Sequence, residues 1–160
     1  MTITIRPIKK LDNQAIQQII KDILEEHQLD LPGTAYYDPQ LGKLYEHYNE
    51  MPNGEYWVIL EEDTVIGGVG IGPFGDYEDI AELQKYYLKK EWHGRGYGRL
   101  LYDKAFNFVK EQNYSKLYLE TSDLLGVANQ IYEHLGFKAL DKPLTGSEHE
   151  LMNRWFIKEI

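Results

Sequence analysis

Apolar positions recur along the chain with two periods, which separate strands from helices. Alternating or continuous apolar runs predict strands at residues 3–8, 55–62, 65–72, 80–90, 116–121, 137–140 and 153–160. Helical spacing predicts helices at residues 12–27, 39–50, 98–113 and 123–136. The resulting order is β-α-α-β-β-β-α-β-α-β-β. Because three consecutive strands precede the first strand–helix–strand crossover, we predict a mixed α/β sheet and not a regular doubly wound one.

Turn and capping residues mark several of these boundaries. Asp12 is a candidate N-cap of the first helix, and Gly136 is a candidate C-terminal stop of the last. A loop rich in turn residues, 30–39, holds Tyr36 and Tyr37. No repeat, linker or low-complexity segment interrupts the pattern, so we expect residues 1–160 to form a single domain.

Composition narrows the class of protein. The 160 residues carry 17 Lys and Arg against 26 Asp and Glu, a formal net charge of −9. This balance disfavours a nucleic-acid partner and would attract a cationic one, although solubility alone also explains it. No cysteine is present, which excludes disulfides, thiolate metal sites and a Cys nucleophile. The chain starts without the apolar core of a signal peptide, and no apolar run approaches the roughly 20 residues of a membrane span. We therefore expect a cytoplasmic protein that does not contact a membrane.

The five histidines have no metal-binding spacing. Neither H-x-x-x-H nor H-E-x-x-H occurs, so we predict no metal site. His27, His47 and His134 fall on predicted helix faces, and we expect them at the surface.

A glycine-rich stretch joins the strand predicted at 80–90 to a helix. Residues 91–101 read EWHGRGYGRLL, with Arg95 and Arg99 beside the glycines. The first N–H groups of a helix lack internal partners, and the helix dipole favours negative charge there. A basic island surrounds the stretch: Lys85, Lys89, Lys90, Arg95, Arg99 and Lys104. Glycines alone would equally suit a tight turn with a solvated basic face. The combination of a strand, glycines, arginines and a following helix predicts an anion site.

Two common phosphate motifs do not fit this stretch. A Walker loop ends in Gly-Lys-Ser/Thr, which does not occur in the chain. The dinucleotide motif G-x-G-x-x-G fails in both registers, because Arg99 and Leu101 occupy the third position. Glu120 lies 22 residues after Gly98, near where a ribose-binding acid would stand. A dinucleotide-binding protein therefore stays an alternative.

Two motifs resemble those of the GNAT acyltransferases. Residues 93–98, HGRGYG, are similar to motif A, Arg/Gln-x-x-Gly-x-Gly/Ala, with His93 in the place of the usual Arg or Gln. Residues 128–137, ANQIYEHLGF, resemble the later family signature A-x-x-x-Y-E-x-x-G-F. The order of elements from residue 3 to 158 also matches, so the resemblance covers almost the whole chain and implies a GNAT-like fold.

The resemblance implies acetyl-CoA as a co-substrate, bound in a splayed gap beside the strand of residues 80–90. Backbone around Tyr86 and Leu88 would pair with the pantetheine arm. The residues implied at the pyrophosphate are His93, Gly94, Arg95, Gly96, Tyr97, Gly98 and Arg99. A histidine is shorter than arginine and can be neutral at pH 7, so affinity would fall unless the two arginines compensate.

The implied reaction is direct attack of an amine on the thioester, which needs a base and an acid. The resemblance implies that Tyr132 protonates the coenzyme sulfur; the alternative is a tyrosine that only packs on an amphipathic helix. Glu82 is the candidate base, because it lies 11 positions before His93, the spacing of the catalytic Glu in the histone-acetylating branch of the family. A salt bridge with a nearby lysine is the alternative role. Strand alternation predicts that Glu82 and Gln84 share one face and that Lys85 lies on the other.

The acceptor is predicted to be a primary amine of a small molecule or peptide. The resemblance implies that Tyr36, Tyr37 and the loop of residues 72–79 with Phe74 lie near its entrance. Three acidic residues would make that entrance attractive to a cation: Asp76, Glu78 and Asp79. His149 could line the pocket or share the role of base, although a lone histidine in a loop is more often simply exposed. The resemblance also allows a homodimer, and a non-catalytic coenzyme-A-binding sensor is the alternative function.

Overall fold

A computed structural model of the protein describes residues 2–160, and for residues 126–128 the backbone alone. The strands are β1 (Ile3–Pro7), β2 (Glu55–Glu61), β3 (Thr64–Pro73), β4 (Ile80–Leu88), β5 (Lys116–Thr121), β6 (Lys138–Leu140) and β7 (Arg154–Glu159). The α-helices are α1 (Asn13–Glu26), α2 (Leu44–Asn49), α3 (Tyr97–Glu111) and α4 (Gly126–His134). Their order along the chain is the predicted one, and the predicted mixed α/β class is confirmed.

All of these strands belong to one sheet, in the order β1-β2-β3-β4-β5-β7-β6. Neighbouring strands are antiparallel except β4 and β5, which run parallel and are joined by α3. A parallel pair needs such a crossover connection, and the glycine-rich stretch begins this one.

Helices cover both faces of the sheet, and β2 shows how one strand contributes to both layers. Tyr56 and Val58 pack in the cluster formed with α1 and α2, whereas Trp57 and Ile59 pack in the cluster formed with α3 and α4. Successive side chains of a strand point to opposite faces, so a strand buried on both sides reads as a continuous apolar run. Within the described residues, no helix is both long enough and apolar enough to cross a membrane.

Asp12 occupies the N-cap position of α1, as predicted, but its side chain makes no capping hydrogen bond. Its buried carboxylate accepts hydrogen bonds from Arg6 Nη1 at 2.7 Å and from the Lys9 N–H at 2.8 Å. The aspartate therefore closes a short 3₁₀ turn before the helix and pairs with β1.

A β-bulge in β4 changes which side chains share a face. Gly68 pairs with Tyr87 and Gly70 pairs with Gln84, so β4 holds one extra residue at this point. Lys85 lies at the bulge and has a positive φ of +46°. The Tyr56 hydroxyl donates to the Lys85 carbonyl oxygen at 2.8 Å. The prediction that Lys85 lies on the face away from Gln84 is therefore wrong, because a bulge interrupts the alternation of the pleat.

The pairing of β4 with β5 ends soon after it begins. Ile80, Ala81 and Glu82 pair with residues 116–118, and no later residue of β4 pairs with β5. Both strands continue beyond this point, β4 to Leu88 and β5 to Thr121. The strands therefore splay apart, and the gap leaves room for ligands beside β4.

Candidate active site

Two cavities lie beside β4 where it leaves β5. The first, here called the charged cavity, has a volume of about 270 Å³ and polar lining residues that include Asp38, Glu82, Gln84, Lys85, Glu120 and His149. The second, here called the glycine groove, has a volume of about 590 Å³ and lies between β4, the start of α3 and α4. Tyr87 and Leu125 line both cavities. The charged cavity and the glycine groove therefore meet at these two residues.

One wall of the glycine groove is the start of α3. Gly94 and Gly96 have φ values of +79° and +84°, a left-handed conformation that glycine adopts without strain. A Cβ atom at either position would meet nothing within 4 Å, so both glycines border open space. Six of the seven residues implied at the pyrophosphate line the groove: His93, Gly94, Gly96, Tyr97, Gly98 and Arg99. The N–H groups of the first helical turn have no partners within the helix, and this wall therefore suits an anion.

The opposite wall is formed by β4. Tyr86 and Leu88 line the groove, as predicted, and the Tyr86 hydroxyl donates to the carbonyl oxygen of Gly98. His93 Nε2 lies 2.8 Å from the Leu88 carbonyl oxygen, which can only accept, so the ring donates a proton there. These two contacts hold the glycine stretch against the strand.

The two arginines of the stretch are held differently. Arg99 lines the groove and pairs with Asp103 one turn along α3, with 2.9 Å between Nε and Oδ1. Arg95 stacks on the ring of Trp92, 4.7 Å from its centroid, and does not line the groove. Among the predicted coenzyme-binding residues, Arg95 is thus the one held away from the cavity.

Tyr132 lies in α4 and lines the glycine groove. Its ring packs against Phe137 and Phe156, at centroid distances of 5.8 Å and 5.4 Å. Tyr132 therefore contributes to packing, the alternative role, as well as lining the groove. Burial raises the pKa of Tyr132 well above its usual value, which keeps the hydroxyl protonated. Packing therefore positions a proton donor at the groove.

Glu82 lines the charged cavity. Burial raises its pKa to about 7; a hydrogen bond from Gln84 Nε2, 2.8 Å long, opposes the rise, and the charge of Glu120 adds to it. No lysine or arginine among the fully described residues forms an ion pair with Glu82, which disfavours the alternative salt-bridge role. A carboxylate whose pKa lies near neutrality is suited to take up a proton.

Gln84 is oriented from the other side by a buried tyrosine. The Tyr48 hydroxyl donates to Gln84 Oε1 at 2.5 Å. Because the amide oxygen accepts this bond, the amide nitrogen must face Glu82. The chain Tyr48–Gln84–Glu82 therefore fixes the position of the candidate base.

Asp38 contacts two basic side chains in the charged cavity. It lies 2.8 Å from Lys85 Nζ, and both of its oxygens lie 3.0 Å from His149 Nε2. Burial acts to raise the pKa of Asp38, but the hydrogen bond from His149 and the charge of Lys85 outweigh it, and the pKa is lowered. The same hydrogen bond raises the pKa of His149. Sequence reasoning named His149 but missed Asp38 and Lys85 as cavity residues.

Two predicted acceptor residues are not brought to the charged cavity. The Tyr36 hydroxyl donates to Glu25 at 3.2 Å, and Tyr37 is 59% exposed. The next residue, Asp38, enters the cavity instead. The loop predicted at the acceptor entrance therefore reaches the charged cavity through Asp38 and not through Tyr36 or Tyr37.

The loop of residues 72–79 contributes one predicted residue. Phe74 is buried and lines the charged cavity. The three acidic residues expected at the entrance are exposed and do not line it: Asp76, Glu78 and Asp79. The acidity of the lining comes from Glu82, Glu120 and Glu148 together with Asp38.

Two of the histidines expected at the surface are half-buried and line a cavity. His47 lines the charged cavity, where burial lowers its pKa, and His27 lines the glycine groove. His134 is exposed, as expected, at the edge of the groove. In the part of the chain that the structure describes, no three His, Asp or Glu side chains are grouped to hold a metal ion.

Comparison with known proteins identifies the family. Residues 16–137 match the model of the Acetyltransferase (GNAT) family. The chain is 38% identical over 140 residues to the uncharacterized N-acetyltransferase YjgM of Escherichia coli (strain K12), which covers 86% of this chain and 83% of that protein.

Two solved structures show the same fold. An acetyltransferase of the GNAT family from Staphylococcus aureus Mu50 is 22% identical, covers 99% of both chains and has a TM-score of 0.88. The PaiA N-acetyltransferase of Thermoplasma acidophilum, in complex with coenzyme A, is 18% identical, covers 100% of both chains and has a TM-score of 0.76. The matching family model, the E. coli relative and the shared fold agree with the two motifs, and the chain belongs to the GNAT family of acetyltransferases.

Proposed function

We propose that this protein is an acetyl-CoA-dependent N-acetyltransferase that passes the acetyl group directly to a primary amine of a small molecule. The observation that carries the proposal is the meeting of two different cavities at Tyr87 and Leu125. Glu82 lines the charged cavity and Tyr132 lines the glycine groove. Direct transfer needs two substrates in contact, a base at the amine and an acid at the departing sulfur.

The residues of the glycine groove fit coenzyme A. A pyrophosphate suits the N–H groups at the start of α3, and the glycines have no side chains to block its approach. Leu88, Ile131 and Leu135 give the groove an apolar wall suited to the pantetheine arm. Arg99 adds a positive charge at the same wall.

The two candidate catalytic residues have complementary protonation states. When bound, acetyl-CoA supplies the thioester carbon with which the amine nitrogen forms its new bond as the carbon–sulfur bond breaks. Glu82 takes the proton from the amine, directly or through a water molecule, because its pKa lies near neutrality. The Tyr132 hydroxyl, at the groove, is the proton donor for the departing sulfur. Glu82 then holds the proton lost by the amine and Tyr132 lacks the proton gained by the sulfur, and proton exchange with solvent restores both groups.

The alternative functions receive less support. A dinucleotide-binding protein would use Glu120 at the glycines, but this carboxylate lines the charged cavity and accepts hydrogen bonds from Tyr118 and Ser147. A non-catalytic coenzyme-A sensor would not need a carboxylate with a raised pKa next to the groove.

Calorimetric titration with acetyl-CoA, with NAD in parallel, tests the proposal. We expect micromolar binding of acetyl-CoA, no binding of NAD, and release of free thiol when amines are added. Failure to bind acetyl-CoA, or tighter binding of NAD, would exclude the acyltransferase. Binding of acetyl-CoA without thiol release across a broad amine panel would favour the sensor.

A further inference from the structure

Lys85 carries a buried ammonium group that is only partly hydrogen-bonded. Its side chain is 6% exposed, lines the charged cavity at the bulge of β4 and donates to Asp38 at 2.8 Å. An ammonium group has three hydrogens, and no second acceptor for it lies among the fully described residues. The remaining hydrogens are therefore available to an acceptor that a ligand brings into the cavity.

Lys85 and His149 form a basic cluster in a cavity whose lining also includes four carboxylates: Asp38, Glu82, Glu120 and Glu148. Asp38 supplies one negative charge, which Lys85 and His149 share. The hydrogen bond to Asp38 raises the pKa of His149 and so favours its charged form. His47, which lines the same cavity, has a pKa lowered by burial and adds no charge at neutral pH. This cluster is therefore a site for an anionic group.

A second cluster in the same cavity, Glu82 and Glu120, is acidic. Both oxygens of Glu120 accept hydrogen bonds, from Tyr118 and from Ser147. Glu82 uses Oε1 to accept from Gln84, and Oε2 has no partner among the fully described residues. This free oxygen can take a proton from an amine that enters the cavity.

We propose that the acceptor is a free amino acid, whose carboxylate binds Lys85 and whose amine lies at Glu82. This inference rests on the proposed acetyltransferase function and names the substrate class of the same site. The remaining lining includes apolar side chains that suit an uncharged side chain of the acceptor: Leu24, Met51, Phe74, Leu83 and Met152.

Two other classes of amine fit the cavity less well. A polyamine brings no anion and would leave the remaining hydrogens of Lys85 unpaired. A lysine side chain on a protein surface carries no carboxylate beside its amine and would leave the Lys85 hydrogens unpaired. A site built to bond a substrate group strongly rejects analogues that lack that group.

A panel of matched amines tests the substrate class on the unmodified protein. Thiol release from acetyl-CoA is measured with each of the twenty L-amino acids, with putrescine and with 3-methylbutylamine. Each amino acid that reacts is then compared with its carboxamide, which keeps the amine and loses the negative charge. We expect kcat/KM for the amino acid to exceed that for the carboxamide by about tenfold or more, mainly through KM.

Lys85→Met tests the residue itself, since it keeps the length of the side chain and removes the charge. We expect KM for the amino acid to rise by about tenfold while KM for the carboxamide changes by less than about twofold. Lys138→Met, on the exposed strand β6, is the matched control and should leave both values unchanged. If Lys85→Met does not fold, calorimetric binding of the amino acid and of its carboxamide to the unmodified protein with free coenzyme A gives the same comparison.

The outcomes separate the two proposals. Acetyl-CoA binding with turnover of putrescine, of 3-methylbutylamine or of the carboxamide as good as that of any amino acid would overturn the amino-acid acceptor and leave the acetyltransferase standing. An equal effect of Lys85→Met on the amino acid and its carboxamide would also overturn it. Absence of acetyl-CoA binding would overturn the acetyltransferase itself.

Discussion

The glycine groove and the charged cavity lie beside the same strand but are built from different parts of the chain. One wall of the groove comes from one short stretch of the chain, residues 93–99 without Arg95, and three of its lining residues are glycines. The charged cavity combines side chains from distant segments, such as Asp38, Glu82 and His149. A site made from contiguous backbone can be predicted from a short motif, whereas a site made from distant side chains can be known only after the chain is folded.

The two cavities also differ in whether their charged groups titrate. In the groove, the attraction for an anion comes from helix N–H groups, which do not titrate. In the charged cavity, Glu82 and His149 both have pKa values moved by their surroundings. Binding of coenzyme A should therefore depend little on pH near neutrality, whereas catalysis should depend on it strongly.

The largest expected effect comes from the one candidate catalytic residue in the groove. Tyr132→Phe keeps the aromatic packing but removes the proton donor, so we expect kcat to fall by about 100-fold or more, with acetyl-CoA affinity unchanged. Thiol-release kinetics and calorimetry measure the two quantities. Tyr114→Phe removes the hydroxyl of another buried tyrosine, outside both cavities, and should leave kcat unchanged. If Tyr132→Phe keeps the wild-type kcat, Tyr132 is not the proton donor and only packs against its neighbours.

The next effect lies in the charged cavity. Below pH 7 the protonated fraction of Glu82 grows, so the wild-type rate should fall about tenfold per pH unit. Glu82→Gln should lower kcat/KM by about 100-fold at pH 8. It should also abolish the fall in rate below pH 7, the acidic limb of the pH–rate profile. The exposed Glu148 lines the same cavity, and Glu148→Gln should keep the limb. Persistence of the limb in Glu82→Gln would transfer the role of base to His149.

A smaller effect tests the backbone character of the groove. Gly96→Val puts a β-branched side chain at a φ of +84° and into the open space of the groove, and we expect acetyl-CoA affinity to fall by about tenfold or more. Gly136→Ala also adds a side chain at a positive φ, +93°, but Gly136 does not line the groove. Both variants should lower Tm, and only Gly96→Val should change the affinity measured by calorimetry.

The two arginines beside the glycines should have unequal effects. Arg99 lines the groove at the start of α3, so Arg99→Ala should weaken acetyl-CoA binding by about three- to tenfold, more at low salt. Arg95 is stacked on Trp92 outside the lining, and Arg95→Ala should weaken binding less. Titrations of both variants at two salt concentrations give the comparison. The reverse order would mean that Arg95 leaves Trp92 when the coenzyme binds.

The smallest effect concerns stability. The hydrogen bond to Asp38 raises the pKa of His149, so the stabilisation is fully present below the ordinary histidine pKa of about 6.5 and is lost as pH rises through the folded-state value. His149→Ala should therefore lower Tm by about 2–4 °C at pH 5.5, and by less at pH 8.5. Thermal melts at the two pH values measure the difference. An equal loss at both pH values would show that the contact stabilises the loop without its charge.

The sequence by itself determined the order of the elements, the mixed sheet and the composition of the groove wall. Each of these depends on residues close together in the chain: the period of apolar positions, or the contiguous motif of residues 93–98. Tyr132 and Glu82 could be named through the resemblance, and the structure brings each to a cavity.

Only the tertiary structure decided the content of the charged cavity. One extra residue in β4 brought Lys85 to the cavity of Glu82, because a single insertion reverses the side-chain alternation of a strand. Asp38 meets His149 across 111 positions of sequence, in two loops whose side chains follow no period. Long-range contacts of this kind depend on the path of the folded backbone, which local preferences do not encode.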